Sequence, residues 1–188
     1  MNIPEIELAR HRLTVDEYYR MAELGILAPD ARVELIEGEI IDMPPQGSRH
    51  AAIVSRLNAR IVTATGSAAI VRCQMPIRLG ARSEPEPDFA IVKPDELHYA
   101  RAHPVADEVL LLIEISHNTI NYDRHVKIPL YARHAILEAW VIDVEARRLH
   151  LCRNPRAGSY RDVSVLDRPA NLCPVSLPSL AIDLSGII

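Results

Sequence analysis

The most chemically demanding residue in the chain is Glu114, which ends the run Val109, Leu110, Leu111, Leu112, Ile113 and is followed by Ile115. An ionised carboxylate in so apolar a setting must meet a cation, reach an exposed strand end or take a proton. A salt bridge to one of the many arginines and simple exposure at the end of the strand would both satisfy it. Asp88 repeats the pattern, because it follows Pro87 and opens Phe89, Ala90, Ile91, Val92. The separation between the two acids allows a loop and a neighbouring strand, which would bring both carboxylates to one side of a sheet within reach of a shared ion. Two carboxylates plus water are the usual equipment for Mg²⁺, so a hard-oxygen site is favoured over zinc.

Lys127 is the third candidate. The chain has 21 basic residues, and only Lys93 and Lys127 are lysines. A lysine is a compact charge that can orient water or stabilise a transferring phosphoryl group, whereas a guanidinium is a permanently charged fork. Lys127 lies on the helix expected after the Glu114 strand, with Asp123 and Tyr131 one turn away on the same face. That helix would pack back over the strand and carry Lys127 towards the carboxylates. An i,i+4 salt bridge to Asp123 is the plainer alternative.

The elements that must position these groups are legible as patterns. Thr14 and Glu17 form a capping-box pair opening a helix over 14–24, stopped by Gly25. Residues 32–36 and 39–43 read as a β-hairpin turning at Glu37 and Gly38. Ile53, Val54, Leu57 and Ile61 give 48–64 the period of a core-packing helix, with Gly66 as its stop. Residues 69–79 and 88–92 read as two hairpin-connected strands. Residues 94–106 are a polar loop, and 109–116 is apolar without alternation, hence a central strand covered on both faces. Residues 121–134 read as a helix bent by Pro129, 139–144 as a strand, 147–153 and 160–166 as two edge strands, and the proline-punctuated tail as an extended finish. This order belongs to one α/β sandwich around a mixed sheet, a single domain over 1–188 with a loose arm at 1–12.

Composition limits the function classes. A chain of 188 residues, 48% hydrophobic and 24% charged, is that of a folded globular domain. A net charge of −4 excludes a polybasic binder that embraces phosphate with its whole surface. Cys73, Cys152 and Cys173 are odd in number and widely spaced, so they suggest buried apolar residues rather than a disulfide framework or zinc ribbon. The start of the chain lacks the pattern of a signal peptide, and the longest aliphatic run, five residues, is too short for a membrane span, which gives the expectation of a cytoplasmic protein without membrane partners. There is no His-Glu-x-x-His, P-loop, dinucleotide fingerprint or nucleophile elbow.

Taken in order, these residues resemble a known family. Pro87 and Asp88 opening a strand, Glu114, Ile115 and Ser116 closing the next, and Asp123, Arg124 and Lys127 leading to Tyr131 and Ala132 are similar to the Uma2 endonuclease family, a former domain of unknown function within the PD-(D/E)XK nuclease superfamily. Glu34 to Glu39 resembles that family's Glu-Leu-Ile-Asp-Gly-Glu hairpin, His50 the histidine opening its next helix, and the stretch 138–143 its Glu-Tyr-Trp-Ile-Val-Asp strand, with Ala139 in place of the aromatic.

The resemblance implies a restriction-endonuclease-like sandwich with a central mixed β-sheet flanked by helices. It implies that Asp88 and Glu114 bind Mg²⁺ or Mn²⁺, that the Ile115 carbonyl adds a ligand and that Glu34 completes the acidic cluster. The superfamily lysine stands two residues after the second acid; here Ser116 holds that place, and its task passes to Lys127. His50, Ser116 and Tyr131 are candidates for support of the site or contact with phosphate, against a capping or packing role for His50. The expected activity is metal-dependent endonucleolytic cleavage of nucleic acid, DNA rather than RNA, with a C2 homodimer suited to cutting two strands. The competing expectation is a catalytically silent nuclease fold that binds nucleic acid or protein, with DNA contacts from Arg56 and Arg60 or from Arg147, Arg148, Arg153, Arg156 and Arg161.

Overall fold

The computed structural model describes residues 10–187, so most of the arm expected at 1–12 lies outside the described residues. Helix α1, Val15–Glu23, opens with the expected box: the Thr14 hydroxyl accepts from the Glu17 amide while the Glu17 carboxylate accepts from the Thr14 amide. Strands β1, Val33–Ile36, and β2, Glu39–Asp42, form the hairpin. Its turn needs left-handed backbone, with φ of 49° at Glu37 and 81° at Gly38. Gly38 is also required by space, since a Cβ there would stand 2.7 Å from Arg12 Cβ. Helix α2, Ser48–Thr65, ends at Gly66.

Six strands make the main sheet: β3, Ile70–Cys73; β4, Phe89–Val92; β5, Val109–Ser116; β6, Glu138–Asp143; β7, Arg148–Arg156; and β8, Ser159–Asp167. They lie in the order β3-β4-β5-β6-β7-β8, and all neighbours are antiparallel except β5 and β6. That parallel pair needs a crossover. The crossover is a turn of helix α3, Ile120–Tyr122, a π-helical turn Asp123–Lys127, and helix α4, Ile128–Arg133. The tail adds β9, Asn171–Leu172, and β10, Ile182–Asp183, which pair with each other.

Both faces of the sheet are covered, which is why β4 to β6 are buried almost throughout. On one face Ile53, Leu57 and Ile61 of α2, with Leu180, Ile182 and Leu184 of the tail, pack on Phe89, Ile91, Ile113 and Trp140. On the other, Leu130, Tyr131 and Ala132 of α4, with Ile77 and Leu79, pack on Ala90, Leu112 and Ala139. Strand alternation therefore sends Glu114 and Asp88 to the α4 face.

Four expectations change. The strand expected at 69–79 stops at Cys73, and the chain then leaves the sheet to form single bridges, Leu35 with Glu84 and Arg78 with Val105. The uniform helix at 121–134 is broken by the π turn rather than merely bent; Pro129 has no N–H to bond back, and the wider turn lies directly before it. Strand β7 is internal, with β8 as the edge. Of the three cysteines only Cys152 is buried, Cys73 being partly exposed and Cys173 exposed. Among the described residues no helix is long and apolar enough to cross a membrane.

Candidate active site

The register aligns the site. Cys73 faces Phe89 and Phe89 faces Ile113, so the next step places Gln74, Asp88 and Glu114 in one row across β3, β4 and β5. Directly opposed residues on such strands project from the same face a few ångströms apart. Gln74 Nε2 donates to Asp88 Oδ1 at 3.2 Å, and the Ile115 amide donates to Asp88 Oδ2 at 2.8 Å, so the Asp88 side chain continues the ladder beyond the strand end. His50, on the first turn of α2, sets Nε2 3.1 Å from Oδ1 and 3.2 Å from Oδ2. The hydrogen bond to Asp88 raises the imidazole pKa, against the opposing effect of burial. His50 Nδ1 is buried without a partner, and the helix N-cap is Gly47, so His50 is not a cap.

Glu114 is 3% exposed. Burial pushes its carboxyl up to about 8, with Lys127 pulling it down and Asp123 and Asp88 adding to the rise. The Tyr131 hydroxyl donates to Glu114 Oε1, and Lys127 Nζ lies 3.3 Å from the same oxygen. Both of these contacts use Oε1, and Glu114 lines a cavity that Asp88 also lines. Lys127 Nζ also lies 3.3 Å from Glu34 Oε2 and donates to the Glu86 carbonyl at 3.1 Å. Burial would lower the Lys127 pKa, but Glu114 and Glu34 outweigh it and the ammonium is held above its usual range. Its three protons thus match three acceptors. The alternative pair of Lys127 with Asp123 does not form. Asp123 Oδ2 instead accepts from Ser116 Oγ at 2.6 Å and Thr119 Oγ1 at 2.7 Å, and burial raises its pKa against Lys127 and those hydroxyls.

Glu34 has both oxygens engaged, Oε1 by the Tyr122 hydroxyl at 3.0 Å and Oε2 by the Glu86 amide at 3.0 Å in addition to Lys127. Sequence reasoning gave no task to Gln74, Glu86 or Tyr122, and named Asp123 only as an alternative partner for Lys127 and as part of the family pattern. Asp123 was visible as the i−4 neighbour of Lys127, whereas Gln74 lay inside the strand expected at 69–79, which ends one residue before it. Tyr122 and Glu86 carried no local signal, since their roles depend on the hairpin meeting the crossover.

The site opens into a cavity of about 650 Å³ whose lining includes Glu34, His50, Gln74, Asp88, Glu114, Ile115 and Lys127, with Arg32, Arg49 and His117 also on its wall. Ser116 and Tyr131 support this wall from behind through Asp123 and Glu114. Among the described residues no three His, Cys, Asp or Glu side chains form a ready-made metal cluster. The donors that face the cavity, the carboxylates of Asp88 and Glu114, are hard and anionic, which fits Mg²⁺ or Mn²⁺ retaining water better than a closed zinc site.

The arginines expected to meet DNA are partly spent on the fold. Arg56 donates to the Gly186 carbonyl at 2.8 Å, and Arg60 to the carbonyls of Asp183 and Ser185, so both anchor the tail. Arg153 is committed to Glu138, and Arg148 to Asp167.

A crystal structure of a putative nuclease belonging to DUF820 from Anabaena variabilis ATCC 29413 has a similar fold, with a TM-score of 0.71 at 21% identity over 93% of this chain and 97% of that one. Comparison with curated proteins returns no match. The family model Uma2, described as "Putative restriction endonuclease", matches residues 15–185. With its paired acids at the mouth of a cavity and the family pattern running through nearly the whole fold, the chain belongs to the Uma2 family.

Proposed function

We propose that the protein is a Mg²⁺- or Mn²⁺-dependent endonuclease that hydrolyses phosphodiester bonds in DNA, with Asp88, Glu114 and the Ile115 carbonyl as the metal-binding set. The observation that carries this reading is Glu114: a carboxylate buried to 3% exposure, locked through one oxygen, and left with the other oxygen free on a cavity that Asp88 also lines. That oxygen is open to the cavity rather than packed against a neighbour, which suits an ion better than a pure packing role. A bound divalent ion would supply Lewis acidity and local positive charge that reverses the sign phosphate sees.

The chain's own residues divide the remaining tasks. Lys127 and Tyr131 hold Glu114 Oε1 so that Oε2 points at the cavity. Lys127 stays an ammonium and cannot take a proton from water; it acts as a positioning residue together with Glu34. His50 holds the Asp88 carboxylate and, when protonated, presents positive charge to a phosphate. Hydrolysis joins the water oxygen to phosphorus, breaks one phosphorus–oxygen ester bond and leaves a proton on the departing oxygen. The family description as restriction endonucleases supports DNA as the substrate.

The test is cleavage of plasmid, single-stranded DNA and RNA with Mn²⁺ by the wild type, Asp88→Ala and Glu114→Ala, with folding checked by circular dichroism. The wild type is expected to cut DNA, and both variants to remain folded and lose cleavage. Undiminished cleavage by either variant removes that residue from the site, and cleavage confined to RNA replaces the substrate.

A further inference from the structure

The sheet ends on an unusually exposed strand. β8 is nine residues long, pairs only with β7 among the described residues, and residues 161–165 are all exposed. Val163 and Val165 are 56% and 50% exposed, side by side on one face. A long edge with free backbone groups and exposed β-branched residues is a template for another strand.

We infer that this edge is the contact between two copies of the chain, joined by antiparallel β8–β8 pairing about a two-fold axis through Ser164. A two-fold axis normal to the sheet keeps each face on its own side, so residues of like alternation must oppose each other. Centring the axis on Ser164 sets Val163 against Val165 of the second copy, and Arg161 against Asp167, each pair occurring twice. One face of the junction then carries four adjoining valines bracketed by two opposite-charge pairs. Moving the axis one residue towards the start of the strand sets Arg161 against Val165, and one residue the other way sets Val163 against Asp167. Only the Ser164 register matches both charge and hydrophobicity, and it also brings the two Ser164 hydroxyls together on the other face.

The charges are available for this. Arg161 has no ion-pair partner among the described residues, and Asp167, which is exposed, holds only Arg148, at 2.9 Å. Asp167 would lie between Arg148 of its own chain and Arg161 of the second copy.

This pairing is independent of the reaction at the cavity. β8 runs in the same direction as β5, so the two-fold axis puts the two cavities at opposite ends of the joined sheet. The dimer does not present two facing sites to one duplex position.

Sedimentation equilibrium of the full chain from micromolar to hundreds of micromolar concentration tests the pairing. The wild type is expected to move reversibly from monomer to dimer. Arg161→Glu or Asp167→Lys alone should weaken the dimer about tenfold, because symmetry disrupts two pairs at once. Combining the two reversals should recover most of that loss, since the pairs re-form with opposite sense. Val163→Lys with Val165→Lys should leave only monomer, with unchanged circular dichroism. A wild type that stays monomeric throughout, or a dimer indifferent to both the charge reversals and the valine substitutions, overturns the inference, as does a double reversal no better than either single one.

Discussion

Lys127 Nζ stands 3.3 Å from Glu114 Oε1 and 3.3 Å from Glu34 Oε2, so one buried ammonium serves two buried carboxylates from different parts of the sheet system. The lysine arrives from the π turn of the crossover, Glu114 from the central strand and Glu34 from the hairpin. The ion group therefore fixes three elements against one another as well as aiming Glu114.

Removing that cation leaves two acids buried without a charge partner. Lys127→Met is expected to destabilise the fold by about 3–5 kcal/mol at pH 8, the usual effect of breaking a buried pair by deleting one member. The loss should shrink at pH 5, where Glu114 takes a proton. Urea unfolding at the two pH values checks this. An equal loss at both would mean that the acids do not depend on Lys127.

Glu114 sets a distinct pH dependence. Its folded carboxyl titrates at about 8, against an ordinary value of 4.5, so between these limits the folded chain holds a proton that the unfolded chain has released. The stability it contributes is full below pH 4.5 and is lost as pH rises towards 8. The raised Lys127 does not offset this, because its own contribution is lost only at far higher pH. With a chelator present, the melting temperature of the wild type should therefore fall more between pH 5 and 8 than that of Glu114→Gln. Stabilisation by Mn²⁺ should grow over the same interval in the wild type, as the ion displaces the proton. Parallel curves for the two proteins would contradict this assignment.

Much of this arrangement was readable before the fold. The Thr14–Glu17 box, the Glu37–Gly38 turn and the apolar run ending at Glu114 are local signals, and each formed as expected because its cause lies within a few residues. The π turn was missed because its stabilisation comes from Asp123 reaching back to Ser116 and Lys127 reaching the hairpin, contacts that no local period records. The internal position of β7 was hidden by its arginines, Arg148 and Arg153, whose partners are Asp167 on the next strand and Glu138 on the previous one. The roles of Arg56 and Arg60 were hidden for the same reason, since the tail that they bind is distant in sequence.

Gly38 links the hairpin turn to the site. Its φ of 81° and the 2.7 Å that would separate an added Cβ from Arg12 Cβ leave no relaxed place for a side chain. Gly38→Ala should cost about 1–3 kcal/mol, combining left-handed strain with the clash. Because Glu34 lies on the strand that enters this turn, Mn²⁺ should also stabilise the variant less than the wild type. Thermal melting with and without Mn²⁺ reads both effects, and a variant as stable as the wild type would show that the turn can relax.

Glu138 is the counterpart that separates a buried structural acid from a site acid. It is fully buried, yet its oxygens accept from Trp140 Nε1 at 2.6 Å, Arg153 Nε at 2.9 Å and the Val175 amide at 2.5 Å, with Arg153 Nη2 at 2.8 Å. No oxygen is left over, and alternation along β6 places it on the α2 face, away from Glu114. Its charge is answered wholly by the protein, and it ties the tail to the sheet. Glu138→Gln keeps the shape but weakens the charge-assisted bonds, and should cost about 2–4 kcal/mol in urea unfolding. The same variant should show the wild-type rise in melting temperature with Mn²⁺, whereas Glu114→Gln should show little or none. Loss of the Mn²⁺ response in Glu138→Gln would mean that the two faces of the sheet are coupled and that burial with full partnering does not distinguish the two acids.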